Sequence, residues 1–290
     1  MKVLVTGVSG QLGYDVVREG TGRGLEIIGS DVVGEVHKRL DITDKDAVLT
    51  SVRNLKPDVI VHCAAYTAVD NAEEMKELCW KVNVTGTENL AIAAKEVGAK
   101  FVYISTDYVF DGEGSKAFVE TDQPNPAGYY GLTKYEGEKV VQSILDNYFI
   151  IRISWVFGLN GFNFIKTMLK LAETRKELNV VGDQIGSPTY TYDLSRLIID
   201  MIETNKFGIY HATNEGFCSW ADFAKEIFNL AEKDVKVNSI TSEEYPTIAV
   251  RPKNSRMSKQ KLIDAGFEPL RNWQEALLHY IGELNKQEVQ

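Results

Sequence analysis

The sequence has few cysteines, no excess of positive charge and no long apolar run. Cys63, Cys79 and Cys218 are widely spaced and form no CxxC pair, so they predict reduced thiols without a disulfide framework or a zinc site. The net charge of −9 disfavours nucleic acids and anionic membranes as partners. No run approaches the ~18 apolar residues of a membrane helix, and the amino terminus lacks the pattern of a signal peptide. These absences favour a cytoplasmic globular protein.

The composition is that of an ordinary enzyme, and the 290 residues suffice for one large domain or two unequal ones. Short apolar strands alternate with helical spacing in the first half, which is typical of a parallel sheet covered on both faces. After about residue 155 the alternation loosens. We therefore predict an α/β fold with a Rossmann-type doubly wound parallel sheet over residues 1–155. Residues 156–290 would form a smaller α/β lobe that mainly binds substrate, with some chain crossing back.

The pattern of apolar residues places the individual elements. The strands predicted in the first half are Lys2–Thr6, Leu25–Ser30, Val59–His62, Phe101–Ser105 and Phe149–Ser154. The helices predicted there are Gln11–Glu19, Asp44–Leu55 with Thr43 as N-cap, Glu73–Val97 and Tyr129–Leu145. The second half is predicted to contain helices Phe162–Thr174, Tyr192–Glu203, Trp220–Ala231 and Trp273–Leu284, and strands Leu178–Val181, Gly208–His211 and Val235–Ile240.

A glycine-rich turn joins the first strand to the first helix. The glycines permit a tight turn and close approach of the backbone to a pyrophosphate, while the helix amino terminus offers free N–H groups. The first two glycines are three residues apart, whereas the usual dinucleotide pattern has them two apart. A glycine-rich turn without a ligand is the alternative. The predicted cofactor-binding residues of this turn are Gly7, Gly10, Gln11, Leu12 and Gly13.

Asp31 follows the second strand, 18 positions past Gly13. An acid at this place accepts hydrogen bonds from an adenosine ribose and disfavours a 2′-phosphate, which favours NADH. NADPH stays open because Lys38 or Arg39 could contact the phosphate. Further predicted cofactor contacts are Asp41 and Ile42 beside the adenine, and Ala64, Ala65 and Tyr66 after the third strand.

Tyr130 and Lys134 lie one helical turn apart, so both side chains leave the same helix face. A nearby lysine charge would lower the pKa of the phenol and let the pair exchange a proton with a carbonyl or an alcohol. Thr106 follows the fourth strand, where ligands of open parallel sheets bind. The alternative is structural, with a solvated helix face for the pair and a turn cap for Thr106.

These motifs together resemble the extended short-chain dehydrogenase/reductases. Longer strings resemble the dTDP-4-dehydrorhamnose reductase family within that superfamily, and they span residues 7 to 256. The strings are GQLG at 10–13, AAYTAVD at 64–70, STDYVFDG at 105–112, YGLTK at 130–134, RISWVFG at 152–158 and RPKNSR at 251–256.

The resemblance implies a reaction and a set of roles. The family reduces the C4 keto group of dTDP-4-dehydro-L-rhamnose to dTDP-L-rhamnose with NADPH or NADH, in nucleotide-sugar and cell-surface polysaccharide biosynthesis. Tyr130 would donate the proton, Lys134 would lower its pKa and hold the nicotinamide ribose, and Thr106 would bind the substrate oxygen. Asp107 and Trp155 would line the sugar pocket. The family also allows a homodimer and an interfacial divalent ion, although no carboxylate cluster indicates a metal here.

Residues 184–189 also fit the substrate-side loop of the family, and Arg251 is a candidate for the substrate pyrophosphate, since a guanidinium fork suits that anion. Two other functions stay open. A sugar-nucleotide epimerase or dehydratase shares the fold but retains its cofactor without net oxidation. A regulatory subunit resembling the methionine adenosyltransferase β subunit would act by binding a partner, although the presence of all three catalytic candidates favours catalysis.

Overall fold

A computed structural model describes residues 1–34 and 38–288. The strands, in chain order, are β1 (Lys2–Thr6), β2 (Glu26–Asp31), β3 (Lys38–Arg39), β4 (Val59–His62), β5 (Lys100–Thr106), β6 (Tyr148–Ile153), β7 (Val156–Phe157), β8 (Glu177–Val181), β9 (Ile185–Gly186), β10 (Thr189–Tyr190), β11 (Gly208–His211), β12 (Cys218–Ser219), β13 (Lys236–Ile240) and β14 (Asn254–Ser255). The helices are α1 (Gln11–Gly22), α2 (Lys45–Leu55), α3 (Val69–Ala72), α4 (Lys76–Trp80), α5 (Gly86–Val97), α6 (Tyr129–Ile144), α7 (Phe164–Ala172), α8 (Thr191–Ile202), α9 (Trp220–Leu230), α10 (Gln260–Asp264) and α11 (Trp273–Glu288).

The main sheet has seven parallel strands in the order β11–β6–β5–β4–β1–β2–β3. The order reverses between β1 and β4, because β2 lies on one side of β1 and the later strands lie on the other. In such sheets the crevice beyond the carboxyl ends of the strands at this reversal is the usual ligand site. The predicted Rossmann-type parallel sheet is confirmed.

The central strands are apolar throughout because both faces of the sheet are covered. Successive strand side chains point to opposite faces, so Val3 and Val5 pack with helices α1 and α8, while Leu4 packs with α2, α5 and α6. All three side chains are fully buried. These two apolar layers hold the carboxyl ends of β1, β4 and β5 in fixed positions.

The smaller lobe has its own apolar core, built from α7, α9, α11 and the pair β8–β13. The chain then returns to the main sheet twice. Strand β11 pairs with β6 at the sheet edge, and α8 packs against α1. Residues 208–211 therefore belong to the main sheet, although their sequence position lies in the second half.

The predicted elements differ from the observed ones in specific places. The N-cap of α2 is Asp44, whose Oδ1 accepts the Ala47 N–H at 3.0 Å, and the prediction of Thr43 was wrong. The hydroxyl of Thr43 instead donates to Asp41 at 2.8 Å. The long helix before residue 97 contains one π-helical turn, Lys81–Thr85, between α4 and α5. Among the described residues, no helix has the length and apolar content needed to cross a membrane.

Candidate active site

The glycine turn between β1 and α1 packs tightly against neighbouring backbone. Gly7 has φ +72°, and a Cβ there would lie 2.5 Å from the Ala64 nitrogen. A Cβ on Gly13 would lie 2.2 Å from the Gly7 carbonyl oxygen. No side chain caps the amino terminus of α1, where Gly10 is the N-cap. The free N–H groups and the positive end of the helix dipole therefore suit a pyrophosphate.

Asp31 braces this turn from the end of β2. Its Oδ2 accepts the Ser9 N–H at 2.9 Å, and its Oδ1 accepts the Val32 N–H at 2.7 Å. A carboxylate has further lone pairs, so it can also accept a ribose hydroxyl. Arg39 lies opposite Asp31 in the β2–β3 pairing. Asp31 lines the cleft, and Arg39 is its neighbour across the strand pair.

The predicted cofactor residues line one cleft of about 760 Å³. Its lining includes Gly7, Gly10, Gln11, Leu12, Gly13, Asp31, Asp41, Ile42, Ala64, Ala65 and Tyr66, together with Thr106, Asp107, Tyr130, Lys134 and Trp155. A second cleft of about 960 Å³ contains Arg251 and shares Tyr108 and Trp155 with the first. The structure therefore brings every predicted site residue to one of two adjoining clefts.

The first residues of α6 pack tightly against the end of β5. A Cβ on Gly131 would lie 2.1 Å from the Tyr108 carbonyl oxygen, so glycine allows this approach. The Tyr130 ring meets the Tyr108 ring edge-on, with centroids 5.5 Å apart. Lys134 is only 3% exposed, and its Nζ lies 4.1 Å from the Tyr103 ring centroid. Tyr130 and Lys134 thus line the cleft, and the alternative interpretation, in which both lie on a solvated helix face, is wrong.

Burial decides the protonation of both groups. It raises the pKa of Tyr130, and the nearby Asp107 and Tyr108 raise it further, while the Thr106 hydroxyl opposes the rise. Burial also lowers the pKa of Lys134 to about 7, against the raising effect of Glu138. The expected lowering of the Tyr130 pKa is therefore wrong for this structure, because loss of solvation raises that pKa.

A buried ion pair lies beneath the reacting groups. Arg152 donates through Nε and Nη2 to the Glu138 carboxylate at 2.9 and 2.7 Å. Their side chains are 2% and 0% exposed. The Ser105 hydroxyl also donates to Glu138, at 2.5 Å. This pair ties β5, β6 and α6 together one helical turn from Lys134.

Thr106 and Asp107 form a buried turn at the end of β5. The Thr106 hydroxyl donates to Asp107 Oδ1 at 2.9 Å and accepts the Tyr108 N–H at 3.2 Å. Thr106 therefore caps a turn, as the structural alternative predicted, and it also lines the cofactor cleft. Burial raises the pKa of Asp107 to about 6, although hydrogen bonds from Ser255 and Thr106 oppose the rise.

Trp155 and Arg251 belong to the second cleft. Trp155 has φ +50°, an uncommon conformation for a residue with a Cβ. Its indole stacks on Trp220 with centroids 3.8 Å apart. The predicted loop 184–189 supplies Gln184 to the lining. Arg251 is anchored by Asp70, which the sequence did not single out beyond its place in the AAYTAVD string.

Asn83 supports residues beside the cleft, and the sequence reasoning missed it. It lies in the π-helical turn, accepts the Tyr66 N–H at 2.8 Å and donates to the Tyr66 carbonyl at 3.1 Å. Its amide also donates to Thr133 at 3.0 Å, beside the catalytic candidates on α6. The available signal was a polar residue between Val82 and Val84 in an apolar helical stretch.

The sheet, the glycine turn and the adjoining Tyr130–Lys134 cleft define a Rossmann-type oxidoreductase of the extended short-chain dehydrogenase/reductase class. Residues 1–286 match the RmlD substrate binding domain family, and the chain belongs to that family. The resemblance to the dTDP-4-dehydrorhamnose reductases is confirmed. Within residues 1–34 and 38–288, no group of three or more His, Cys, Asp or Glu side chains is placed to hold a metal ion.

Named relatives support the same family. The chain is 42% identical to dTDP-4-dehydrorhamnose reductase of Aggregatibacter actinomycetemcomitans, over 95% of this chain and 97% of that protein. A dTDP-4-dehydrorhamnose reductase structure from Clostridium acetobutylicum has a TM-score of 0.94 and 45% identity, covering 98% of this chain and 100% of that one. The Bacillus anthracis enzyme in complex with NADP has a TM-score of 0.93 and 42% identity, covering 97% of this chain and 99% of that one.

Proposed function

We propose that the protein reduces the C4 keto group of dTDP-4-dehydro-L-rhamnose to give dTDP-L-rhamnose, with NADPH or NADH as the reductant. The product would serve cell-surface polysaccharide biosynthesis. One observation carries the proposal: Thr106, Tyr130 and Lys134 line the cleft of the glycine turn, and that cleft adjoins the one that contains Arg251. A reductant and a nucleotide sugar could therefore meet at these three side chains.

Tyr130 is proposed as the proton donor. Because burial raises the pKa of Tyr130, the phenol keeps its proton at neutral pH. The cofactor, when bound, supplies the hydride for the reduction. The sugar C4 oxygen then becomes a stronger base than a phenolate, so proton transfer from Tyr130 is favourable. Thr106 would orient that oxygen by a hydrogen bond.

The glycine turn, Asp31 and Lys134 are proposed to hold the cofactor. The uncapped amino terminus of α1 would bind the pyrophosphate, and Asp31 the adenosine ribose. Arg39, opposite Asp31, supports use of NADPH because it could pair with a 2′-phosphate. Lys134 would hold the nicotinamide ribose. Asp41, Ile42 and the backbone after β4 would enclose the adenine half.

The alternative functions have less support. Several relatives of high coverage are named reductases, which disfavours an epimerase or dehydratase. A partner-binding subunit would not need three catalytic groups in one cleft. NADPH oxidation in proportion to added keto-sugar nucleotide would support the reductase, whereas a tightly retained cofactor with no net oxidation would contradict it. A homodimer and a cytoplasmic location stay predictions.

Tyr130→Phe is the decisive variant. We expect it to keep NADPH affinity and to lower kcat by about 10²–10⁴-fold, because it removes only the proton donor. Tyr129→Phe is the matched control, since this neighbouring phenol starts the same helix and lies outside the cofactor cleft. Steady-state assays of NADPH absorbance give kcat, and fluorescence titration gives the affinity. Unchanged turnover in Tyr130→Phe would show that the proton has another source.

A further inference from the structure

Residues 245–251 form an irregular segment on the wall of the larger cleft. Tyr245, Thr247 and Arg251 line that cleft. Tyr245 and Ile248 are 60% and 64% exposed, whereas Ala249 is 2% exposed. The segment is therefore held mainly at its centre and at Arg251.

One carboxylate makes both of these attachments. Asp70, on α3 beyond the end of β4, accepts the Ala249 N–H through Oδ1 at 3.0 Å. Its Oδ2 pairs with Arg251 Nη2 at 2.6 Å. Both oxygens of one side chain thus bind the same segment, across 179 and 181 positions of sequence. Asp70 directly follows Val69, which lines the cofactor cleft.

A second nitrogen of the Arg251 guanidinium contacts Tyr108. Arg251 Nη1 lies 3.4 Å from the Tyr108 hydroxyl, and the Tyr108 ring packs edge-on against Tyr130. Tyr108 lines both clefts. The Arg251 side chain is still 33% exposed, so it has donors available to a ligand. Asp70 therefore fixes a partly free cation at the junction of the two clefts.

We propose that Asp70 is a positioning residue that holds Arg251, and with it residues 245–251, ready for the diphosphate of the substrate. The proposal rests on the proposed function, because it assigns the diphosphate of the nucleotide sugar to Arg251. A long side chain that is already fixed loses less conformational freedom when its ligand binds. The ion pair also orients the planar fork, which suits paired hydrogen bonds to phosphate oxygens.

The test uses dTDP as a probe that needs no catalysis. In Asp70→Asn one acceptor oxygen remains, so Ala249 and Arg251 cannot both keep their bonds. We expect dTDP affinity by calorimetry to fall about tenfold, as loss of a charge-assisted bond does. NADPH affinity and kcat should stay within about twofold while KM for the sugar nucleotide rises with the dTDP dissociation constant. Unchanged or tighter dTDP binding would overturn the proposal, since Asp70 would then be idle or would compete for Arg251.

Two controls separate positioning from general damage. Glu96→Gln removes the acid of an exposed pair with Arg53 (2.7 Å) outside both clefts, and it should leave dTDP affinity unchanged. Arg251→Ala should weaken dTDP at least as much as Asp70→Asn, and adding Asp70→Asn to it should change little. A full additional loss in the double variant would overturn the proposal, because Asp70 would then act without Arg251.

The proposed function and this inference fail in different ways. If the wild-type protein reduces the keto-sugar nucleotide and Asp70→Asn binds dTDP normally, only the inference fails. If the wild-type protein shows no reduction while Asp70→Asn loses dTDP affinity, the diphosphate role stands and the proposed reaction fails.

Discussion

Glu138→Gln tests how far the buried ion pair beneath the active site supports the fold. The variant keeps the shape of the side chain and one acceptor oxygen, but it removes the negative charge. Arg152 is only 2% exposed, so its guanidinium would be left in the interior without a counter-charge. One of the two short bonds, at 2.9 and 2.7 Å, would also be lost or weakened.

The expected cost is about 3–5 kcal/mol of unfolding free energy, which is typical when one partner of a buried pair is removed. Urea denaturation at pH 7 measures it. Glu96→Gln is the control for loss of an exposed pair and should lower the unfolding free energy far less than Glu138→Gln does. The double variant Glu138→Met with Arg152→Met should recover most of the loss, because no charge then stays buried without a partner.

A loss below about 1 kcal/mol in Glu138→Gln would refute this reasoning, since it would mean that water reaches Arg152 or that the pair is not formed. A double variant as unstable as the single one would also contradict it. In that case shape, and not charge, would decide the stability of this layer.

Three further predictions concern the cofactor cleft and the thiols. Gly13→Ala should weaken NADPH binding more than about tenfold in fluorescence titration, because its Cβ would meet the Gly7 carbonyl at 2.2 Å; Gly22→Ala, at the open end of the same helix, should bind normally. NADPH affinity should fall as pH rises through about 7, because the pKa of Lys134 is lowered to about 7 and its charged form is lost above that pH. Lys134→Met should remove this pH dependence. An unchanged pH dependence in the variant would exclude Lys134 as the group that titrates. Finally, Cys79 and Cys218 are buried, and burial raises the pKa of both thiols. A disulfide reagent at pH 8 should therefore label these two slowly until denaturant is added, and rapid labelling of either in the native protein would contradict the burial.

The sequence predicted the features that depend on local pattern. The apolar runs of β1, β4 and β5 and the glycine turn are short-range signals, and the residues predicted from them line one cleft. Tyr130 and Lys134 lie on the same face of one helix because they are one helical turn apart. Each of these rests on residues that are close along the chain.

The features that escaped prediction depend on distant parts of the chain or on solvation. The Asp70–Arg251 pair joins residues 181 positions apart. Asn83 gains its role from a π-helical turn, which has no simple periodic signal. The direction of the Tyr130 pKa depends on how completely the folded chain removes water from the phenol, and spacing alone carries no such information.

The return of β11 and α8 to the main sheet has a consequence for the separability of the two halves. A chain cut after residue 155 would lose the edge strand beside β6 and the helix that covers α1. It would expose Val16 and the apolar face of β1, which now lie against Leu194 and Ile198. The later half supplies part of the apolar covering of the earlier one, so we expect the two halves to unfold together.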